Sequence, residues 1–171
     1  MAGKSCSDPA REWVQVNSSN VAVFSAVCYL SARDVARRLA SATEFSSNRD
    51  WPAIGLIESD WGDTPVQAWS PPEALEACDM PLDNCTTEPH GNCSHYPSVL
   101  FNHMLLPLVD WGVRSILWYQ EEANSDEGFP LSRNEYACIF DQARRCFCWR
   151  NQASSHCIIF SINNAVLCTF R

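Results

Sequence analysis

Two short apolar runs constrain this chain more than any other feature. "AIGLIES", residues 53–59, is apolar and carries β-branched residues, yet it is only seven residues long, so it reads as a buried strand rather than a helix. A second run, Val113 to Tyr119 within "GVRSILWYQ", reads the same way. Helical patterns surround both. "NVAVFSAVCYLSARDVARRLAS" sets Val23, Ala26, Val27, Leu30, Val35 and Leu39 near one face, with Asn20 as N-cap. "PPEALEAC" opens with prolines where a missing N–H does no harm. "SVLFNHMLLPLV" has Ser98 as cap and Pro107 to bend or end it, and "SRNEYACIFDQARR" supplies a third long helix. Strands alternating with helices are the signature of a parallel α/β sheet covered on both faces.

At 171 residues the chain is long enough for one domain with its own core. A net charge of -8, with no basic stripe interleaved with aromatics, argues against nucleic acid as a partner. No apolar run reaches the roughly 18 residues of a membrane span. The first twenty residues show no apolar signal core, which taken alone places the chain in the cytosol. Ten Cys and the sequons at Asn17, Asn84 and Asn92 point instead to an oxidising, glycosylating compartment and a secreted glycoprotein. Cys85, His90, Cys93 and His95 lie in one polar loop, but their spacing matches no closed zinc site, so no metal and no cofactor is expected.

The last thirty residues differ in kind. Residues 142–171 hold none of the 20 acidic residues and four of the ten Cys. They read either as a basic, Cys-rich final strand, with "IIFSINNAVL" as its apolar part, or as a tail of different origin joined to an incomplete fold.

Both strands end in chemistry-bearing turns. After the first come Asp60, Trp61, Gly62, Asp63, Thr64 and Pro65; after the second come Gln120, Glu121, Glu122, Ala123 and Asn124. In α/β sheets ligands gather at such carboxyl ends. A glycine there lets the backbone N–H approach a ligand, and Gln120 and Asn124 add side-chain amides, which together suit a developing oxyanion. Ordinary turn chemistry explains the glycine as well.

"IGLIESDWGDTPVQAWS", "VAVFSAVCYLSARDVARRL" and "LFNHMLLPLVDWGVRSILWYQEEAN" resemble the middle of the sialate O-acetylesterases, a family of SGNH-type carbohydrate esterases, from about Trp13 to Asp141. The resemblance implies an incomplete three-layer, flavodoxin-like α/β fold with a parallel sheet: an N-terminal tail at 1–12, the partial esterase domain at 13–141, and the divergent tail at 142–171. It implies Gly62, Gln120 and Asn124 as oxyanion-hole donors, with Thr64, Trp69 and Asn102 lining or bracing a pocket for an O-acetylated sialic acid or other acetylated sugar.

The chain departs from that family at several points. Asp63 stands where the family's W-G-G-T has its second glycine, and Glu121 replaces the glycine of Y-Q-G-E. The family's nucleophilic Ser belongs to a Gly-Gln-Ser-Asn motif, which this sequence lacks, and its base is a His preceded by Asp; Ser5 and His156 are poor substitutes. The expectation is therefore a carboxylic ester hydrolase domain whose isolated chain does not turn over acetyl esters, or else a non-catalytic glycan-binding or regulatory isoform.

Overall fold

The computed structural model describes residues 13–41, 54–82, 93–111, 115–120, 122–125, 129–150, 158–161 and 166–170. Four strands form one sheet: β1 (Leu56–Asp60), β2 (Ser115–Trp118), β3 (Ile158–Ser161) and β4 (Val166–Phe170), in the order β1-β4-β2-β3. β2 and β3 run parallel. β4 does not: it lies between β1 and β2 and is antiparallel to both. The sheet is therefore mixed, and β1 and β2 are not neighbours, yet they point the same way. Their carboxyl ends emerge on one edge of the sheet, roughly 10 Å apart at two strand spacings.

The sequence reading places a boundary at residue 142. Helix α4 (Arg133–Arg150) crosses it unbroken, and β3 and β4 both come from the last stretch.

Helices cover both faces. On one side α1 (Ala26–Ser41) buries Cys28 and Ala32, four residues apart, and Cys28 packs with Leu117, Phe24, Val27 and Leu56. On the other side, Ile116 and Trp118 of β2 meet Val66, Ala68 and Trp69, the short helix α2 (Pro72–Glu76), Phe101 and Leu105, and Ile139 and Ala143 of α4. This second layer is the main core. Its centre is Trp69, almost wholly buried and edge-on to Trp118 at 6.5 Å. A disulfide between Cys78, just after α2, and Cys138 of α4 ties that layer together. Closing a loop of 60 residues stabilises a fold by about 4 kcal/mol in the chain-entropy treatment.

Local chemistry sets the helix ends, and two expected caps are corrected. The long first helix is broken: residues Val21–Val23 form a 3-10 turn, Phe24 is extended, and α1 begins only after Ser25. The N-cap is Ser25, not Asn20, because Ser25 Oγ accepts the Cys28 N–H at 3.3 Å, whereas the Asn20 side chain makes no cap hydrogen bond. The break also changes which residues are buried. Leu30 lies about 200° round the helix from Cys28 and is exposed, as are Val23 and Val35. Ser98 is not a side-chain cap either; it sits at φ 63°, its Oγ makes no hydrogen bond to protein, and only its carbonyl accepts, from Asn102 N–H. Phe101–Leu105 then widen into a π-type turn and Leu106–Trp111 tighten into 3-10, accommodating Pro107, which has no N–H to donate. By contrast α4 starts with a complete capping box: Glu135 N–H donates to Ser132 Oγ, and Ser132 N–H donates to Glu135 Oε2. Hydrogen bonds to the carboxyl from the Ser132 side chain and from the Ser132 backbone hold Glu135 below its ordinary range.

Two predictions follow from how α1 is attached. Ser25→Ala should cost about 1 kcal/mol in urea unfolding and Asn20→Ala much less; equal losses would put the cap elsewhere. Glu58 of β1 lies under the start of α1, where burial raises its carboxyl above the ordinary 4.5, a hydrogen bond from the Ser25 backbone lowers it, and Asp60 raises it. A raised carboxyl means that the folded state holds the proton more tightly than the unfolded chain. Stability from this group is thus fully present below about pH 4.5 and lost as pH rises through the folded value. Melting temperatures of Glu58→Gln relative to the parent should therefore move in the variant's favour from about pH 4 to pH 7. A difference that stays constant over that range would contradict it.

Candidate functional site

The candidate site is built at the shared edge where β1 and β2 end. β1 runs into Trp61-Gly62-Asp63-Thr64-Pro65 and then a 3-10 turn, Val66–Trp69. β2 runs into Tyr119, Gln120 and the one-turn helix α3 (Glu122–Ser125), which carries Asn124. Gln120, Asn124, Thr64 and Trp69 are all buried, and a single hydrogen-bond network joins them.

Asn124 is the hub. Its Oδ1 accepts from Val66 N–H at 2.8 Å and from Gln120 Nε2 at 2.8 Å. Its Nδ2 donates to Gln67 Oε1 at 2.9 Å and to the Phe129 carbonyl at 3.1 Å. One backbone donor and one backbone acceptor thereby fix which end of the amide is oxygen. Gln120 Nε2 also donates to the Thr64 carbonyl at 3.0 Å, and the single proton of Tyr136 OH is shared between Gln120 Oε1 and the Gln120 carbonyl. Thr64 Oγ1 completes the chain by donating to the Trp61 carbonyl and accepting from Trp69 Nε1 at 2.8 Å.

This geometry revises the roles expected for the two amides. Each has two N–H groups, and all four are engaged inside the protein, so neither Gln120 nor Asn124 has a donor left for an oxyanion in this arrangement. They brace the 61–67 loop from beneath. Thr64 and Trp69 sit in the same brace and not on an open wall. Asn102, expected in the pocket, is exposed on the π-type turn, and its backbone N–H bonds to Ser98. Glu121 lies outside the described residues, as do Ser5, Asn84, Cys85, His90, Asn92 and His156. Asn17 is exposed in a turn, where its Oδ1 accepts from Ser19 N–H and Asn20 N–H. Cys93 is disulfide-bonded.

Gly62 behaves differently. It is exposed, nothing lies within 4 Å of the position its Cβ would take, and its backbone is outside the left-handed region. Neither packing nor conformation of this fold calls for glycine there. The residue that does occupy the left-handed region is Asp63, at φ 58°. That explains why a second glycine suits this position, and aspartate is among the few side chains that tolerate it. Its carbonyl is clasped by His95 Nε2 at 2.6 Å, and the His95 ring lies 4.9 Å from that of Phe129. Sequence reasoning weighed His95 only as a metal ligand of its Cys-rich loop, far from either strand in the chain, and passed over Phe129.

Removing the hub should be costly in a defined way. Asn124→Ala leaves the Val66 N–H and one Gln120 N–H without acceptors in a dry interior, at about 1–3 kcal/mol each. Urea unfolding should therefore lose about 2–4 kcal/mol; a loss below about 0.5 kcal/mol would show that the network does not hold the loop.

Against models of protein families the chain finds no match. Individual relatives are clearer. Sialate O-acetylesterase of Pongo abelii is 30% identical over 141 residues, covering 80% of this chain and 25% of the relative. The Homo sapiens sialate O-acetylesterase matches to the same extent, and that of Rattus norvegicus is 30% identical over 150 residues, covering 71% of this chain and 24% of its own. The chain thus spans about a quarter of the length of the curated relatives it matches. Over that quarter, it is a distant homologue of the sialate O-acetylesterase family.

Proposed function

We propose that the chain carries the acyl-binding side of an O-acetyl carbohydrate esterase site, with an O-acetylated sialic acid or related acetylated sugar as its ligand. The observation that carries this reading is Gly62: an exposed glycine that its own fold does not require, on a loop held rigid from below at the ends of two co-directional strands. Its backbone N–H is the donor for the acetyl carbonyl. Gln120 and Asn124 act as positioning residues that hold the loop carrying that donor, and Thr64 and Trp69 form its floor. We place these parts in a three-layer SGNH-type fold, a reading supported by helices on both faces of the sheet. A secretory or lysosomal setting is supported by the Cys78–Cys138 disulfide and by the disulfide-bonded Cys28 and Cys93.

A second reading, recognition of the acetylated sugar without turnover, is favoured by one sequence fact. The 171 residues contain neither a Gly-Gln-Ser-Asn motif nor an acidic residue near His156. A serine without its base is a weak nucleophile.

Both readings meet in one experiment. Titration of the purified chain with O-acetylated sialic acid, followed by NMR, should show binding. Gly62→Ala, whose methyl group meets no protein atom, should leave the melting temperature unchanged while weakening binding by about tenfold. Absence of binding by the parent chain, or equal binding by the variant, would refute the Gly62 assignment. Turnover of the same compound at about 1 s⁻¹ or faster would refute the non-catalytic reading.

A further inference from the structure

We propose that His95 and Phe129 form an aromatic wall beside Gly62 that contacts the C–H face of the bound sugar; this rests on the acetylated-sugar reading above. The two residues come from distant segments and are anchored separately to the same loop system. His95 is joined to the residue next to Gly62: its Nε2 lies 2.6 Å from the Asp63 carbonyl. A carbonyl only accepts, so Nε2 carries the proton and the imidazole is fixed in place by that bond. Phe129 is held through its own carbonyl, which accepts from Asn124 Nδ2 at 3.1 Å. Between these anchors the rings lie 4.9 Å apart at a tilt of 36°.

Three features make this pair a ligand surface. Both residues are only half-buried, in contrast to Trp69 and Trp118, so part of each residue is open to solvent. The hub that fixes Phe129 is the same amide that fixes the Val66 backbone, so the wall and the Gly62 loop are registered to one another. Finally, a sugar presents a face of C–H groups whose partial positive charge matches the negative face of an aromatic ring, and binding sites are typically lined in that manner, with a few polar groups fixing orientation. An acetyl carbonyl at Gly62 would leave the sugar carrying it within reach of the rings, since neighbouring Cα atoms are about 3.8 Å apart.

The test uses the full chain and O-acetylated sialic acid as probe. His95→Gln keeps an amide donor for the Asp63 carbonyl but removes the ring, and Phe129→Leu keeps apolar volume without an aromatic face. Each should bind about five- to tenfold more weakly than the parent and lose the ring-current shifts of the sugar C–H protons, with an unchanged melting temperature. His95→Ala should bind no better than His95→Gln. If His95→Gln and Phe129→Leu bind as the parent does while Gly62→Ala is weakened, the aromatic wall is wrong and the acetyl-binding reading stands. Should the parent chain bind no O-acetylated sialic acid, both fail together.

Discussion

The side-chain amide of Asn124 is the joint on which the rest of the site depends. Four hydrogen bonds leave it, to the Val66 N–H, to Gln120, to Gln67 and to the Phe129 carbonyl, so one buried group ties the turn after β1 to the turn after β2 across 58 residues of sequence. Such a group is held tightly because every alternative leaves a dry polar atom without a partner. The loop above it, with Gly62 exposed and Asp63 in the left-handed region, can therefore keep a shape that loop propensity alone would not hold.

Much of the fold was legible because its signals are local. A seven-residue apolar run is short for a buried helix and does hold strand β1, although only Ser59 of that strand is buried, and α4 begins on a Ser-x-x-Glu box that specifies its own start. The misreadings also have local causes. Asn20 and Ser25 are both good cap residues, and only the extended Phe24 between them decides that the helix starts at the second. Ser98 resembles a cap by type, but it sits at φ 63° and its hydroxyl makes no hydrogen bond to the helix it precedes. The position of β4 was beyond reach for another reason: which strands become neighbours is decided by pairing over more than a hundred residues, not by any pattern within them.

The candidate site divides in the same way. The motif around Gly62 and the amides after β2 brought Thr64, Trp69, Gln120 and Asn124 to one place, and the structure does gather them. What residue types cannot tell is which way an amide points. Gln120 and Asn124 look alike as donors in a sequence, but here every N–H is turned inward onto a carbonyl or a side-chain oxygen. Gly62 is exposed and His95 and Phe129 are half-buried, so beside the closed network these residues remain open to solvent. Behind them, the Trp69 layer and the Cys78–Cys138 disulfide give the network a rigid support.

Amide hydrogen exchange at Val66 tests the claim about Asn124 most directly. That N–H lies in a short turn outside any strand, where its protection depends on the Asn124 side-chain oxygen 2.8 Å away. It should exchange as slowly as the buried strand amides of β2 in the parent chain and become fast in Asn124→Ala under conditions where β2 stays protected. Fast exchange at Val66 in the parent itself would mean that the hub does not hold the loop, and that Gly62 is not positioned by it.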